Sequence, residues 1–186
     1  MEMKRRARHE MNTRHAALLA LAGIVFAHSP LRAESEADVK AAYLFNFAKV
    51  IEWPASAFAG AKAPIVIGVV GRDSVGDELA RNIAGATANG RPVEVRRVSA
   101  GDGAALRSCH VVFIPGADRG DGVITAVQGS PVLLVGESDG FARRGGAIGF
   151  VKVNDAVKFD ANPKGAARSG LTISSKLLRV AREVIN

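Results

Sequence analysis

One cysteine, Cys109, occurs in 186 residues, so no disulfide can form within the chain and the fold must rest on a packed core. Histidine is almost as scarce: of four, only His110 lies beyond residue 33. A single imidazole without a second His or a Cys cluster does not make a zinc site of the usual kind. No apolar run is long enough to cross a ~30 Å hydrocarbon layer. The longest, Ala16–Ala27, is about a dozen residues. No Gly-Lys-Ser/Thr follows the glycines at Gly68, Gly71 and Gly76, and no G-x-G-x-x-G is present, so a phosphate-binding loop has no support. No Cys follows the first apolar run, which disfavours a lipid anchor.

The beginning of the chain has a recognisable order. Lys4, Arg5, Arg6, Arg8 and Arg14 come first, then the apolar run, then Pro30 and the small residue Ala33. That is the layout of a secretory signal peptide spanning residues 1–33, with cleavage expected after Ala33. An uncleaved anchor is the competing reading, and a twin-arginine route through Arg5-Arg6 fits its flanks poorly. The leader also explains the charge. The whole chain has a formal net charge of +7 and a pI near 10.1, values that invite a nucleic-acid reading. Six of the 25 Lys/Arg and two of the 18 Asp/Glu fall in residues 1–33, leaving 19 and 16 beyond them. The remainder is nearly balanced, with no basic block, and nucleic-acid binding is not expected.

Residues 34–186 suit one domain with its own core. Residues 34–53 read as a helix stopped by Pro54, with Val39, Tyr43, Leu44, Phe47, Val50 and Ile51 on one arc. Apolar strand signals follow at 65–70, 93–98, 111–114 and 132–135. Helical stretches at 73–84, 103–108 and 122–127 alternate with them. Such alternation predicts a parallel sheet covered on both faces. The pattern then changes. Residues 148–153 and 156–159 flank Asn154-Asp155, a dipeptide that tolerates positive φ and suits a hairpin, with Ile148, Phe150, Val157 and Phe159 on one face. Asn162-Pro163 opens a short helix that Gly170 ends. A last helix opens at Thr172 or Ser174, with Ile173, Leu177, Val180, Ala181, Val184 and Ile185 as its buried stripe. The expected fold is α/β: a three-layer α/β/α domain with a mostly parallel sheet, a C-terminal antiparallel hairpin and a terminal helix.

Catalytic patterns fail on geometry. Cys109 and His110 are adjacent at a strand start, so their side chains leave on opposite faces. Ser174-Ser175-Lys176 lacks the Ser-x-x-Lys spacing, and helical phase turns Ser174 inward and Ser175 outward. Asp73, Asp77 and Glu78 fall in the first turn of a helix, where carboxylates complement the dipole. No catalytic residue, cofactor or metal is expected. Phe45 is different. It falls on the charged side of the first helix, flanked by Lys49 and Glu52 and close to Trp53. An apolar anchor in a polar rim is the makeup of a protein contact, although an aromatic at that phase also packs under a loop or at a homodimer contact.

Three stretches, taken together, resemble a known family. They are Ala41-Ala42-Tyr43-Leu44-Phe45-Asn46-Phe47-Ala48-Lys49 with Glu52-Trp53-Pro54; Gly145-Gly146 with Ile148-Gly149-Phe150; and Gly170-Leu171-Thr172-Ile173-Ser174-Ser175-Lys176-Leu177-Leu178. In this order they resemble the YfiR family of exported bacterial proteins, over residues 36 to 183, and Phe113 in its strand also fits. The resemblance implies a periplasmic regulator, not an enzyme. It would bind and inhibit the periplasmic sensor part of an inner-membrane diguanylate cyclase, with an outer-membrane lipoprotein relieving it. The output would be cyclic-di-GMP, hence biofilm. The family fold is α/β/α and a homodimer is possible. Family members can carry cysteine pairs, whereas this chain has Cys109 alone. The alternative is a periplasmic small-molecule receptor or an unrecognised enzyme using the crevice at the carboxyl ends of the strands.

Overall fold

The structure, a computed structural model, describes residues 34–116 and 120–185. The leader expected over residues 1–33 lies outside the described residues.

Helix α1 (Glu36–Val50) opens on a capping box. The Ser35 side chain accepts from the Asp38 amide, and the Asp38 carboxylate accepts from the Ser35 amide, so two orphan donors of the first turn are satisfied. The helix ends three residues earlier than the expected Trp53. Proline at 54 drives the preceding residue toward extended backbone, and Ile51–Glu52 is drawn into a short strand, β1, antiparallel to β9 (Thr172–Ile173). Asn89 donates to the Lys49 carbonyl at 3.0 Å and covers the frayed end.

A chain of parallel pairings carries the core of the fold. β2 (Ile65–Val70) lies between β4 (Arg91–Val98) and β5 (Val111–Ile114), followed by β6 (Leu133–Gly136) and β7 (Ile148–Val153). β8 (Ala156–Ala161) returns antiparallel to β7 through Asn154-Asp155, whose φ values are 48° and 61°. That is the hairpin the dipeptide predicts. A second hairpin escaped the sequence reading. β3 (Thr87–Ala88) pairs with the start of β4 across Asn89-Gly90, with φ 52° and 76°. Asn-Gly is itself a strong signal for this turn. The flanking signal is weak here, because β3 has only two residues.

Side chains of the inner strands alternate between two clusters. Ile65, Ile67, Val69, Val111, Phe113, Leu133 and Val135 meet α1 and α2 (Ser74–Asn82). Val66, Val70, Val112, Ile114, Val132 and Leu134 meet α3 (Gly103–Arg107) and α4 (Gly120–Ala126). This period of two, buried on both faces, is what a parallel sheet in three layers requires. The fold class is therefore α/β with a mostly parallel sheet and an antiparallel hairpin.

The terminal helix is shorter than its apolar stripe predicts. α5 (Pro163–Arg168) is capped by Asn162 as expected. α6 (Ser175–Val180) is capped by Ser174, whose hydroxyl accepts from the Leu177 amide at 3.3 Å. Leu177 is buried, but Val180 is 65 % exposed. Ala181 is extended at φ −64°, ψ 143°, and Glu183–Val184 forms β10, parallel to β8. The cause is tertiary. β8 has an open edge, and the Phe159 and Ala161 carbonyls accept from Arg182 and Ile185, each at 2.8 Å. Asp160, only 6 % exposed, takes both Nε and Nη2 of Arg182. A bidentate pair on a nearly buried carboxylate outweighs the helical continuation.

The paired glycines have a steric reason. A Cβ on Gly146 would stand 2.1 Å from the Phe141 ring, and one on Gly136 would stand 2.6 Å away. Phe141 is 1 % exposed and has nowhere to retreat. Gly145 holds φ 117°, which L side chains rarely adopt. Gly146→Ala is expected to destabilise the domain by about 1–3 kcal/mol or more through overpacking. Adding Phe141→Leu should recover part of that loss. Urea unfolding of the single and double variants measures both. If Gly146→Ala alone is neutral, the ring is not fixed there.

Candidate functional site: the outer face of the first helix and the cleft beside it

The aromatic residues of the first motif divide between inside and outside. Phe47 is fully buried; its ring centroid lies 5.4 Å from that of Phe159, edge-on, and 6.1 Å from that of Phe150. Tyr43 is half-buried and meets Phe47 and Phe159 at 5.9 and 5.5 Å. Both belong to the core that joins α1 to the β7–β8 hairpin. Asn46 and Lys49 are exposed, as is Glu52. Phe45 is intermediate. It packs against the edge of the core, and the Lys49 ammonium lies 3.9 Å over its ring. So the helix brings Phe45 and Lys49 together as a cation–π pair, with Glu52 exposed just beyond. Among the other signature residues, Gly145, Gly146 and Phe150 serve packing. Ser174 serves capping, Ser175 is exposed and Leu177 is buried.

Trp53 turns away from this face. It is half-buried, with its ring centroid 6.2 Å from that of His110. Its indole N–H is buried with no hydrogen-bond partner among the described residues. His110 and Cys109 do part company. The Cys109 thiol lies against Gly68 and donates to the Ala105 carbonyl at 3.3 Å, and burial raises its pKa. The His110 ring faces the segment after Trp53. The carboxylates grouped in sequence are likewise separate in role. Asp73 caps α2 at the Val75 amide, Asp77 pairs with Arg97, and Glu78 pairs with Arg81.

A cleft of about 1050 Å³ opens where β5 and β6 end. Gly116, Gly120 and Glu137 bound one side, and Lys152 and Val157 of the hairpin bound the other. Lys40 of α1 reaches into it and bridges Glu36 at 2.5 Å and Glu137 at 2.6 Å. The second Glu137 oxygen accepts from the Gly116 amide at 3.2 Å. Arg144 donates to Ser138 at 2.6 Å and stands 3.5 Å from Asp121. Burial works against the Lys40 charge, but its hydrogen bonds to Glu137 and Glu36 outweigh it and raise the pKa. The hydrogen bond from Lys40 lowers that of Glu36. Sequence reasoning missed this network because its members come from three distant segments, 36–40, 116–121 and 137–144. No spacing in the chain marks Lys40 as the partner of Glu137.

Among the described residues no cluster of three His, Cys, Asp or Glu could hold a metal. No described helix is long and apolar enough to cross a membrane.

The layered parallel sheet and its flanking hairpin define the class as a small α/β domain. A family model described as YfiR/HmsC-like matches residues 37–182. The chain belongs to the YfiR/HmsC-like family. No curated protein matches it. Among solved structures, a conserved domain protein from Vibrio cholerae O1 biovar El Tor superposes with a TM-score of 0.56 at 12 % identity, covering 81 % of this chain. The match spans 60 % of that structure's length, and at this identity the likeness is one of fold.

Lys40→Met would leave Glu36 and Glu137 without their shared cation in a half-covered cleft. A loss of about 1–3 kcal/mol is expected. Since the Lys40 pKa is raised, the contribution is full at pH values where both carboxylates are ionised and below 10.5, and is lost as pH rises through the folded Lys40 value. Urea unfolding of the variant near neutral pH checks the first claim. Unfolding of the wild type between about pH 9 and about pH 11 checks the second.

Proposed function

We propose that this chain is a periplasmic regulator without catalytic activity. It binds the periplasmic sensor part of an inner-membrane signalling protein, a diguanylate cyclase controlling cyclic-di-GMP and biofilm, and holds it inactive. The family match, which takes in both terminal motifs, carries this reading. The basic–apolar–small order of residues 1–33 supports export. Release by an outer-membrane lipoprotein and homodimer formation belong to the same proposal.

The outer face of α1 is the contact surface in this reading. Phe45 supplies apolar area, held in place by Lys49 above it and by the core below. Lys49 and Glu52, both exposed, form a rim of both signs; Trp53, turned toward His110, lies outside it. Preorganised aromatic area inside a charged rim is the composition of an interface hot spot.

The test is affinity capture from an envelope extract with the tagged chain, followed by charge reversal. Lys49→Glu with Glu52→Lys changes exposed side chains and should leave the melting temperature nearly unchanged. Capture of a membrane cyclase should fall at least ~10-fold, a loss of about 1.4 kcal/mol. Phe45→Ala is the less clean probe, since Phe45 also packs on the core. Undiminished capture by the double reversal would remove α1 from the interface, and capture of no membrane signalling protein would remove the regulatory reading.

A second reading, a periplasmic small-molecule receptor or an enzyme, has one observation in its favour: the cleft at the carboxyl ends of β5 and β6, the usual ligand position in such sheets. Its Lys40 already pairs with Glu36 and Glu137, and its Arg144 with Ser138 and Asp121. A ligand would have to displace those pairs.

A further inference from the structure

His110 is the sole histidine of residues 34–186 and Trp53 the sole tryptophan of the chain; the fold places the two rings side by side. His110 stands at the amino end of β5 on a rigid platform. Its amide donates to the Val66 carbonyl at 2.8 Å, and its carbonyl accepts from the Leu133 amide at 2.8 Å. The ring is 8 % exposed as part of its residue, and both nitrogens are committed. Nδ1 accepts from the Val66 amide at 3.1 Å, and Nε2 lies 3.1 Å from the Ala57 carbonyl. An amide N–H only donates and a carbonyl only accepts, so these two partners define the neutral ring with its proton on Nε2.

That ring ties down a short strap, Pro54–Phe58. The strap holds itself with local bonds, Ala57 amide to Pro54 carbonyl and Phe58 amide to Ala55 carbonyl. His110 fixes it at Ala57, stacks on Phe58 at 4.6 Å between centroids, and meets the edge of Trp53. Arg91 supplies a further tie, lying 3.8 Å over Phe58 and donating to the Gly60 and Ala63 carbonyls, and Phe58 and Trp53 pack against the edge of the core. The buried indole N–H of Trp53 has no partner in this arrangement, so opening the strap to water recovers its lost hydration.

We propose that His110 is an acid-sensitive latch. When the ring takes a second proton, Nδ1 can no longer accept the Val66 N–H; the cation leaves its buried seat with the Ala57 carbonyl still on Nε2, and the Pro54–Phe58 strap and Trp53 beside it turn to solvent with the ring. The charged groups that face the ring are Arg91 and Arg96 of β4, both cations. The strap, β2, β5 and β6 carry no charged residue. Glu52 and Lys62, at either end of the strap region, are exposed, and the Cys109 thiol leaves on the opposite face. Burial, reinforced by the two arginines and opposed by the Ala57 hydrogen bond, lowers the His110 pKa below its ordinary 6.5. The sign follows. The closed state needs the neutral ring, so its stability is full above pH 6.5 and is lost as pH falls toward the folded value. The latch would make the proposed contact face respond to acid. That consequence rests on the reading of α1 as the interface; the latch itself does not.

The test reads Trp53 emission of the full chain from about pH 8 to about pH 5. Acidification should move the emission to longer wavelength and increase acrylamide quenching, reversibly and with far-ultraviolet dichroism unchanged. His110→Gln should abolish the transition. In the wild type, the pH dependence of histidine C2 hydrogen exchange, read on the peptide that separates His110 from His9, His15 and His28, should share its midpoint. A Trp53 transition that survives in His110→Gln overturns the latch, as does protonation of His110 with no change at Trp53. Should His110→Gln fail to fold, unequal midpoints in the wild type overturn it by themselves. None of these readouts involves a partner. Failure of α1 charge reversal to weaken capture therefore strikes the interface alone.

Discussion

The contact between α1 and the β7–β8 hairpin is the constraint on which the remainder depends. Phe47 and Tyr43 close against Phe150 and Phe159, with Phe113 of β5 6.0 Å behind Phe150. Such aromatic pairs contribute about 0.5–1.5 kcal/mol each beyond the area they bury. Because α1 is first in the described domain and the hairpin is near its end, this cluster joins distant segments directly. It also orients the outer face of α1: once Phe47 points inward, Phe45 and Lys49, each two residues away and so about 160° round the helix, must leave the opposite side.

The same docking builds the cleft. Lys40 is one turn before Leu44 and is carried by α1 to the ends of β5 and β6, where Glu137 waits. Its charge is spent within the molecule, on Glu36 and Glu137. Arg182 is similarly spent on Asp160. Lys49 by contrast is held over a ring rather than a carboxylate, and Glu52 is exposed. A partner that meets the carboxyl end of α1 meets Lys49 and Glu52, which make no salt bridge among the described residues. This is a physical reason to place recognition there rather than in the cleft, since a desolvated pair has to be broken before it can be used.

Signals of short range and strict period were legible. The alternation of β2, β5 and β6 was visible because each is buried on both faces and apolar throughout. The Asn154-Asp155 hairpin and the Asn162-Pro163 helix start were visible because turn and cap chemistry is local. Phe45 was legible as an aromatic out of phase with the core, although not that Lys49 would cover it. The Asn89-Gly90 hairpin was legible in principle and obscured by the brevity of β3.

The last segment marks the limit. Residues 177–185 carry a helical stripe, and in isolation nothing opposes a helix through Ile185. The structure ends α6 at Val180 because β8 offers unpaired carbonyls and Asp160 offers a nearly buried carboxylate to Arg182. In the same way, His110 was legible as a lone histidine, but its two backbone partners come from β2 and from the Pro54–Phe58 strap. By itself the sequence determined which segments are strands, where the turns and caps fall, and which family motifs are present, since these follow from local periodicity and backbone preference. Tertiary structure alone decided the strand order, the fate of the C-terminal tail, the Lys40 bridge and the His110 corner. Each of these pairs groups from segments far apart in the chain, and no spacing encodes such a pairing.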